Sequence, residues 1–387
     1  MKAPAIALLA LTLVNATAGT TSCPRIPQPG DPLPGLSAQE LDRFARGRDL
    51  FMRKFTPETG PGPLFNADAC SECHEDPAIG GTGDELETHI TMAGAHGTCD
   101  PLLAHGGPVF QHHVTPALHA ALGIDAEPLP PGDRTRATRT IPDVFGFGLL
   151  DAVPDREILR RADPDDRNHN GISGRASMTP DGHVGRFGRK AAFATLDDFN
   201  AGALLIEQGI TSPAQPVEET IGGKPIPPGV DPVPDPELSA EDLESLDDFV
   251  RFLAPPIRLP LDSEGERGRL IFGSIGCASC HTPSLTTGRS RVRALSMKRV
   301  EAWTDLLLHD MGPERADICL GSATPSEFRT EPLMGLRLAK VFMHDGAAKT
   351  VQLAIEMHGG EGARARERFA HLRPSERAAM LRFLATL

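Results

Sequence analysis

Apolar residues recur at helical spacing in three segments of the chain, separated by long stretches rich in proline and glycine. The first segment follows Ser37, which forms a helix capping-box pattern with the glutamate three positions later, and it carries Phe44 and Phe51 on one side. The second and third segments, 239–253 and 374–387, each contain closely spaced phenylalanine and leucine residues. This pattern predicts a mainly α fold with long Pro/Gly-rich loops.

Two short sequence repeats divide the chain into halves. The segment 46–51, Arg-Gly-Arg-Asp-Leu-Phe, returns at 267–272 as Arg-Gly-Arg-Leu-Ile-Phe. The Arg-Thr-x-Pro block that begins at Arg139 is repeated at Arg329. Because repeats of this kind indicate repeated structural units, we predict two diverged domains in tandem.

The composition along the chain sets the predicted boundaries. Residues 1–18 have a basic start, an apolar run and a small-residue cleavage pattern, which together predict a secretory signal peptide. We then expect an N-terminal domain at 19–255, which includes a Pro-rich connector at 211–237, and a C-terminal domain at 256–387. No later segment is apolar for long enough to span a bilayer, so we predict an exported periplasmic protein without a membrane span.

Each half contains one Cys-x-x-Cys-His motif, the attachment signature of c-type haem. Two thiols three positions apart lie on one side of a helical turn, where both can form thioethers with one porphyrin, and the following histidine can bind the iron. The residues concerned are Cys70, Cys73 and His74 in the first half, and Cys277, Cys280 and His281 in the second. The sequence therefore predicts two tandem cytochrome c-like domains, each with one covalently bound haem c and a proximal histidine.

The net charge narrows the classes of molecule that we expect this protein to bind. The formal net charge of −13 argues against a nucleic-acid partner. It suits a basic redox partner, such as a small cytochrome or a cupredoxin, because opposite charge speeds encounter.

Three cysteines are left after haem attachment: Cys23, Cys99 and Cys319. An oxidising compartment allows one disulfide among them. The sequence does not decide which pair forms it.

Two further patterns are typical of metal sites. Asp166, Asn168 and Asn170, followed by a glycine, repeat the first half of a calcium-binding loop, although position 12 is Ser177 rather than glutamate. Calcium is therefore a candidate further cofactor, and a turn closed by its own side chains is the alternative. The stretch 80–133 holds six histidines without helical spacing, which we expect on a loop surface rather than in a dedicated metal site.

Several other segments resemble those of a known family. They include Leu-Leu-Leu-His-Asp-Met-Gly at 306–312 and His-Gly-Gly-Glu at 358–361, together with the segments 70–80, 146–154, 170–175, 185–188 and 342–346. With the two haem motifs, they make the chain similar to the di-haem oxidoreductases that are grouped with peroxidases and are also called thiol oxidoreductases. These are related to bacterial di-haem cytochrome c peroxidases and to the enzyme that matures methylamine dehydrogenase. The resemblance implies a peroxidase-like fold of two cytochrome c domains.

The resemblance also implies a second axial ligand for the second haem. In the related peroxidases it is a methionine fourteen residues after the histidine of a His-Asp-Gly turn, and in the methylamine dehydrogenase-maturing enzyme it is a tyrosine. Counting fourteen from His344 gives His358, and the chain contains no tyrosine. We therefore expect His/His ligation, which lowers the haem potential relative to His/Met. Met357, Met343 and Met311 are rival ligands, and a helix C-terminal cap is the alternative role of His358.

Peroxide chemistry at the first haem requires an open iron face and a distal group that moves a proton. The relatives use a glutamate after the first Arg-x-x-Pro block, and no glutamate of this chain aligns with it. By elimination, Asp151 and Glu157 are the nearest acids, with Arg139 as a charge partner. The alternative for each acid is a surface or helix-capping role.

These features predict a periplasmic, peroxidase-like di-haem c-type oxidoreductase that transfers electrons between two covalently bound haems and a small substrate such as hydrogen peroxide. The alternative is a non-catalytic di-haem electron-transfer cytochrome. In that case both irons are six-coordinate, and one of the histidines from His89 to His119 binds the first iron.

Overall fold

The computed structural model describes residues 26–94 and 98–387. The predicted signal peptide, its cleavage site and Cys23 lie outside these residues. The α-helices of the described part are α1 (Ala38–Phe51), α2 (Cys70–Cys73), α3 (Pro116–Leu122), α4 (Phe147–Asp151), α5 (Asp155–Leu159), α6 (Leu196–Gln208), α7 (Ala240–Phe252), α8 (Ser263–Ser274), α9 (Val351–Glu356), α10 (Ala363–Ala370) and α11 (Pro374–Leu384). The strands are β1 (Leu64–Phe65), β2 (Leu86–Ala93), β3 (Cys99–Asp100), β4 (His113–Val114), β5 (Arg134–Thr140), β6 (Ser177–Met178), β7 (Val184–Gly185), β8 (Leu285–Thr286), β9 (Arg299–Val300), β10 (Leu308–Asp310) and β11 (Glu327–Arg329).

The three predicted helices begin where the sequence places their start signals. The Ser37 hydroxyl accepts from the backbone N–H of Glu40, whose carboxylate accepts from the backbone N–H of Ser37, and α1 follows. Ser239 caps α7 in the same way by accepting from the N–H of Asp242. Each bond satisfies a backbone donor that the first helical turn leaves free. The last helix begins at Pro374, as predicted, and ends at Leu384 rather than at the last residue.

The first and last helices of each half cross with their backbones in contact. At Gly47 on α1, a Cβ atom would overlap the carbonyl oxygen of Ser245 on α7. At Gly268 on α8, a Cβ atom would overlap the carbonyl oxygen of Ala379 on α11. These are the glycines of the repeated Arg-Gly-Arg segments, so the sequence repeat marks the same helix crossing in both halves.

Aromatic residues one turn beyond each glycine form the centre of each core. Phe51 packs against Phe249 with ring centres 5.0 Å apart, and Phe272 packs against Phe383 at 5.5 Å. Burying each such ring contributes roughly 1.5–3 kcal/mol. The first core also includes buried side chains from 285–307, which lie beyond the predicted boundary at 255/256. That boundary therefore separates the two helix pairs but not the two hydrophobic cores.

Residues 86–140 depart from the mainly α expectation. Here β2 pairs with β3 and β5 in a three-stranded antiparallel sheet, the largest in the described part of the chain. The histidine-rich stretch was expected to be loop surface, but His89 lies within β2 and is only 5% exposed. The prediction failed there because Thr88 to Thr91 are all buried, so β2 is covered on both faces and lacks the alternation that marks a half-exposed strand. His96 lies outside the described residues.

Long-range contacts hold the two halves together. Cys99 of β3 forms a disulfide with Cys319, which settles the pairing that the sequence left open. Arg139 and Asp317 form a buried ion pair at 2.6 Å across the same junction. The connector 211–237 contains no helix or strand, as predicted. Its Ile221 packs in a small hydrophobic core that is separate from the two larger cores. None of the described helices combines the length and the apolar character that crossing a membrane requires.

Replacing Gly268 with alanine should destabilise the protein, because the new methyl group overlaps the backbone of Ala379 and the helices must separate. Overpacking of this kind costs about 1–3 kcal/mol. Gly273 on the same helix is the matched control, since no atom lies within 4 Å of a Cβ added there. Gly273→Ala should be neutral or stabilise by up to about 1 kcal/mol. Urea unfolding followed by circular dichroism measures the difference, and equal stability of the two variants would contradict the described crossing.

Candidate haem sites and their surroundings

The second Cys-x-x-Cys-His motif follows α8 directly, on a single tight turn. The Nδ1 of His281 is 3.1 Å from the carbonyl oxygen of Trp303, to which it donates. Burial, together with the nearby His358, lowers the pKa of His281 to about 4, so its imidazole is neutral at neutral pH. A hydrogen bond from one ring nitrogen to a carbonyl fixes the tautomer and leaves Nε2 available to a metal.

His358 lies across from His281, just after α9. Its Nδ1 donates to the carbonyl oxygen of Ala354 at 2.7 Å, which again leaves Nε2 available. The centres of the two imidazole rings are 6.5 Å apart. Two metal–nitrogen bonds of about 2 Å, with about 1 Å from each nitrogen to its ring centre, span roughly 6 Å. The two histidines are therefore spaced for opposite faces of one metal ion.

A cavity of about 640 Å³ surrounds these two histidines. This volume falls in the usual range for a cofactor pocket. His358, Met311 and Met343 all line it, whereas Met357 does not. Its apolar walls include Phe272, Met334, Leu336, Met380 and Leu384. The donor set and the apolar walls fit a haem, and Met311 and Met343 are the methionines that share this cavity with His358.

The first motif repeats the arrangement of the second. Cys70 and Cys73 form the helical turn α2, and the Nδ1 of His74 donates to the carbonyl oxygen of Gly81 at 2.9 Å. Burial lowers the pKa of His74, so this imidazole is also neutral. Phe51 lies 5.9 Å from the ring of His74, and Phe272 lies 6.3 Å from that of His281. The two motifs therefore share the same histidine tautomer and the same neighbouring ring.

Near the first motif, the structure gathers acids that the sequence analysis did not select. Glu87 of β2 is close enough to His74 for its negative charge to act against the lowering of the histidine pKa by burial. Glu207, at the end of α6, is in turn close to Glu87. Burial, reinforced by the charge of Glu87, raises the pKa of Glu207 to about 8. One carboxyl group of the pair is therefore protonated at neutral pH and the other is ionised.

Hydrogen bonding decides which of the two acids carries the charge. His89 Nε2 is 2.9 Å from Glu87 Oε2, and Arg139 lies directly opposite Glu87 in the register of β2 and β5. Burial raises the pKa of Glu87, but the hydrogen bond to His89 and the charge of Arg139 outweigh it and hold the pKa below the usual value. Burial lowers the pKa of His89. Its neutral ring leaves Nδ1 buried without a hydrogen-bond partner in the described part of the chain.

The comparison with protein families agrees with this pair of sites. A model of the family described as "Di-haem oxidoreductase, putative peroxidase" matches residues 131–387. The chain belongs to this family. The resemblance inferred from the sequence motifs is thus confirmed, and membership implies haem cofactors. No match is found among curated proteins.

Three solved structures are similar to this di-haem oxidoreductase over most of its length. Hydrazine synthase from Kuenenia stuttgartiensis is 14% identical, with a TM-score of 0.41 over 98% of this chain and 100% of that chain. A MauG-like protein associated with microbial copper homeostasis is 15% identical, with a TM-score of 0.43 over 95% of each chain. The diheme peroxidase BthA from Burkholderia thailandensis E264 is 16% identical, with a TM-score of 0.42 over 89% of this chain and 86% of that chain.

In this di-haem oxidoreductase, the acids chosen by elimination have structural partners. Asp151 forms an ion pair with Arg251 at 2.8 Å and accepts from the backbone N–H of Leu196 at the start of α6. Glu157 forms ion pairs with Arg160 and Arg161, which directly follow its own helix, α5. Their contacts are those of the capping and surface roles that the sequence analysis gave as alternatives. Arg139 lies opposite Glu87 in the β2–β5 register and forms its ion pair with Asp317.

The half-loop with the calcium pattern forms a turn closed by its own side chains. The Asp166 carboxylate accepts from the backbone N–H groups of Asn170 and Gly171, at 2.9 and 3.1 Å, and Asn168 Oδ1 also accepts from the N–H of Asn170. The Asn170 side chain accepts from the next residue but one. These bonds bring the three predicted ligands onto one turn. They are also the bonds of the alternative without a metal.

Proposed function

We propose that this protein is a periplasmic, peroxidase-like c-type enzyme that passes electrons between two covalently bound haems and a small substrate such as hydrogen peroxide. The observation that carries the proposal is an asymmetry between two otherwise matching sites. His281 has a second imidazole, that of His358, at the spacing of a six-coordinate metal. His74 has the acid Glu87 nearby, and Glu207 lies close to Glu87. One site suits electron exchange, and the other suits a reaction that consumes protons.

The protein's own residues have distinct roles in this proposal. When bound, haem supplies the redox chemistry of its iron. Reduction of hydrogen peroxide takes up two electrons and two protons and gives two water molecules, so acids beside the reacting site must deliver protons. Glu207, protonated at neutral pH, can donate one, and the ionised Glu87 can accept and pass on another. The hydrogen bond to His89 and the charge of Arg139 keep Glu87 ionised between proton transfers. The electrons come from a carrier protein, for which we propose a small basic cytochrome or a cupredoxin.

The proposal also includes a periplasmic location and calcium as a further bound ion. The signal-like residues 1–18 support a periplasmic location, which is also where haem is attached to c-type proteins. The turn formed by Asp166, Asn168 and Asn170 supports calcium as an additional ligand, since three side-chain oxygens already lie on one loop.

Covalent attachment is tested by intact mass. The exported protein should weigh two haem masses more than the polypeptide that starts after residue 18, and both haems should survive denaturation and acid extraction. Replacing Cys277 and Cys280 together with serine should remove one haem mass and leave the other. A wild-type mass with one haem or none would contradict the proposal.

His/His ligation of the second haem is tested by comparing two neighbouring substitutions. His358→Ala should open the iron bound by His281 and convert its low-spin spectrum to a high-spin one, because the imidazole has no substitute at that position. Met357→Leu should change little, since Met357 does not line the cavity. Absorption and electron paramagnetic resonance spectra of the oxidised proteins measure the difference. Loss of a thioether-ligand band in the methionine variant would assign the ligand to Met357 instead.

The role of the acids at the first haem is tested by stopped-flow reaction of the half-reduced protein with hydrogen peroxide. Glu87→Gln should slow the reaction by roughly 100-fold or more, the usual effect of losing a positioned proton-transfer group. Glu157→Gln, the same change at an acid held by Arg160 and Arg161, should have a much smaller effect. The reverse order of effects would favour the acid that the sequence suggested.

A specific observation favours the electron-transfer alternative. His89 is buried in β2, and its Nδ1 lone pair has no hydrogen-bond partner among residues 26–94 and 98–387. If His89 binds the iron of the first haem, both irons are six-coordinate and the protein is a non-catalytic electron carrier. Carbon monoxide separates the two functions. Binding to the reduced protein supports the enzyme, and failure to bind in wild type, with binding in His89→Ala, supports the carrier.

A further inference from the structure

A second buried histidine lies beside the haem motif of the second half. His309, at the centre of β10, is 3% exposed, and both of its ring nitrogens face carboxylates. Its Nε2 is 3.0 Å from Asp305 Oδ2, and its Nδ1 is 2.7 Å from Glu361 Oε2. A neutral imidazole donates from only one nitrogen, so only the doubly protonated imidazolium donates to both carboxylates. His309 is therefore a buried cation held between two acids.

Such a triad is costly to bury, and replacing one by apolar residues is often neutral or stabilising. Burial by itself lowers the pKa of His309, but its hydrogen bonds to Asp305, Cys280 and Glu361 raise the pKa well above the usual value. Asp305 is itself fixed, since its other oxygen accepts from the backbone N–H of Leu307. The contacts of this buried cation show which parts of the second haem site it connects.

His309 joins the two segments that would hold the second haem. Its Nδ1 is 3.6 Å from the sulfur of Cys280, the second attachment cysteine. Its partner Glu361 follows His358 by three residues. The backbone between them is pressed against the same strand, because a Cβ atom at Gly360 would overlap the carbonyl oxygen of Asp310. The triad therefore connects the attachment side of the pocket to the segment that carries the opposite imidazole.

The carboxylate of Glu361 also accepts hydrogen bonds from a loop in the first half of the chain. Ser173 donates to Glu361 through its backbone N–H at 3.1 Å and through its hydroxyl at 2.8 Å. The adjacent Gly174 packs directly on the His309 ring, where a Cβ atom would lie 2.5 Å from Cε1. Glu361 thus has donors from both halves, His309 and Ser173, and their bonds restrain the segment after α9.

We propose that His309 and Glu361 are positioning residues that hold His358 at the axial position of the second haem. This inference rests on the proposed function, in which His358 is that axial ligand. His358 makes two hydrogen bonds to the last turn of α9: its backbone N–H donates to Ile355 at 3.2 Å, and its Nδ1 donates to Ala354. These bonds orient the ring but do not hold the helix end against the pocket. The bonds of Glu361 to His309 and Ser173 supply that restraint. Without them, the helix end moves and the imidazole leaves the iron for part of the time.

The test measures coordination and potential rather than turnover. Glu361→Gln keeps the shape of the side chain but removes its charge, and His309→Gln leaves a donor for only one of the two carboxylates. Both variants should show a high-spin fraction at the second haem, bind added cyanide there at least tenfold faster than wild type, and shift its midpoint potential. His371→Gln is the matched control, because His371 is exposed at the end of α10 and bonds only to its own helix. This control should match wild type in all three measurements.

His358→Ala distinguishes failure of the inference from failure of the proposed function. If His358→Ala leaves the second haem low-spin, His358 is not the ligand and the proposed function of this site is wrong. If His358→Ala opens the iron while Glu361→Gln and His309→Gln retain the wild-type spectrum, potential and cyanide kinetics, the positioning role is refuted. Should Glu361→Gln fail to load haem, Glu361→Asp, which keeps the charge on a shorter side chain, decides. An opened iron supports the inference, and a wild-type spectrum overturns it.

Discussion

A helix crossing at backbone contact recurs in both halves of this protein, and the placement of both haem motifs depends on it. Gly47 and Gly268 allow α1 and α8 to touch the last helix of their own half. With no side chain between the helices, the phenylalanine one turn later reaches both the closing helix and the motif histidine. The chain between that phenylalanine and the first cysteine is much longer in the first half, yet the ring-to-histidine distances, 5.9 and 6.3 Å, are nearly equal. The crossing, rather than the loop, sets the geometry.

Apart from this shared arrangement, the two sites differ in the groups that surround the motif histidine. Each proximal histidine is neutral and donates Nδ1 to a backbone carbonyl, so each offers Nε2 to a metal. In the second half, a helix end brings a further imidazole to the spacing of a second axial ligand. In the first half, the β2–β5 sheet brings Glu87 and the buried Arg139, and α6 brings Glu207 close to Glu87. The surroundings of the two motifs therefore differ in the elements added around the repeated helices, and this difference supports the different roles that we propose for the two sites.

Buried charges join these added elements across the two halves. Asp317 lies between the guanidinium of Arg139 and the ammonium of Lys190, with ion-pair distances of 2.6 and 2.8 Å. Burial lowers the pKa of Lys190 to about 8, although Asp317 acts in the opposite direction. The Cys99–Cys319 disulfide closes the same junction. Because a buried charge that loses its partner is strongly destabilising, this network restrains the orientation of the halves and hence the relation between the two sites. The contacts of Glu361 with Ser173 act at a second point of the junction.

The sequence by itself determined the features encoded within short segments: the two attachment motifs and the helix starts at Ser37 and Ser239. Such features follow from local spacing, because the interacting groups lie within a few turns of one chain segment. Tertiary structure decided the rest. Glu87 meets Glu207, and His309 meets Glu361, only because distant segments fold together, and no local pattern marks these residues as partners. Elimination along the sequence selected Asp151 and Glu157, whose partners are structural, because nearness along the chain does not measure nearness to a buried site. Electrostatic environment depends on the packing of several elements at once, which is why the acids beside the first motif became visible only in the folded chain.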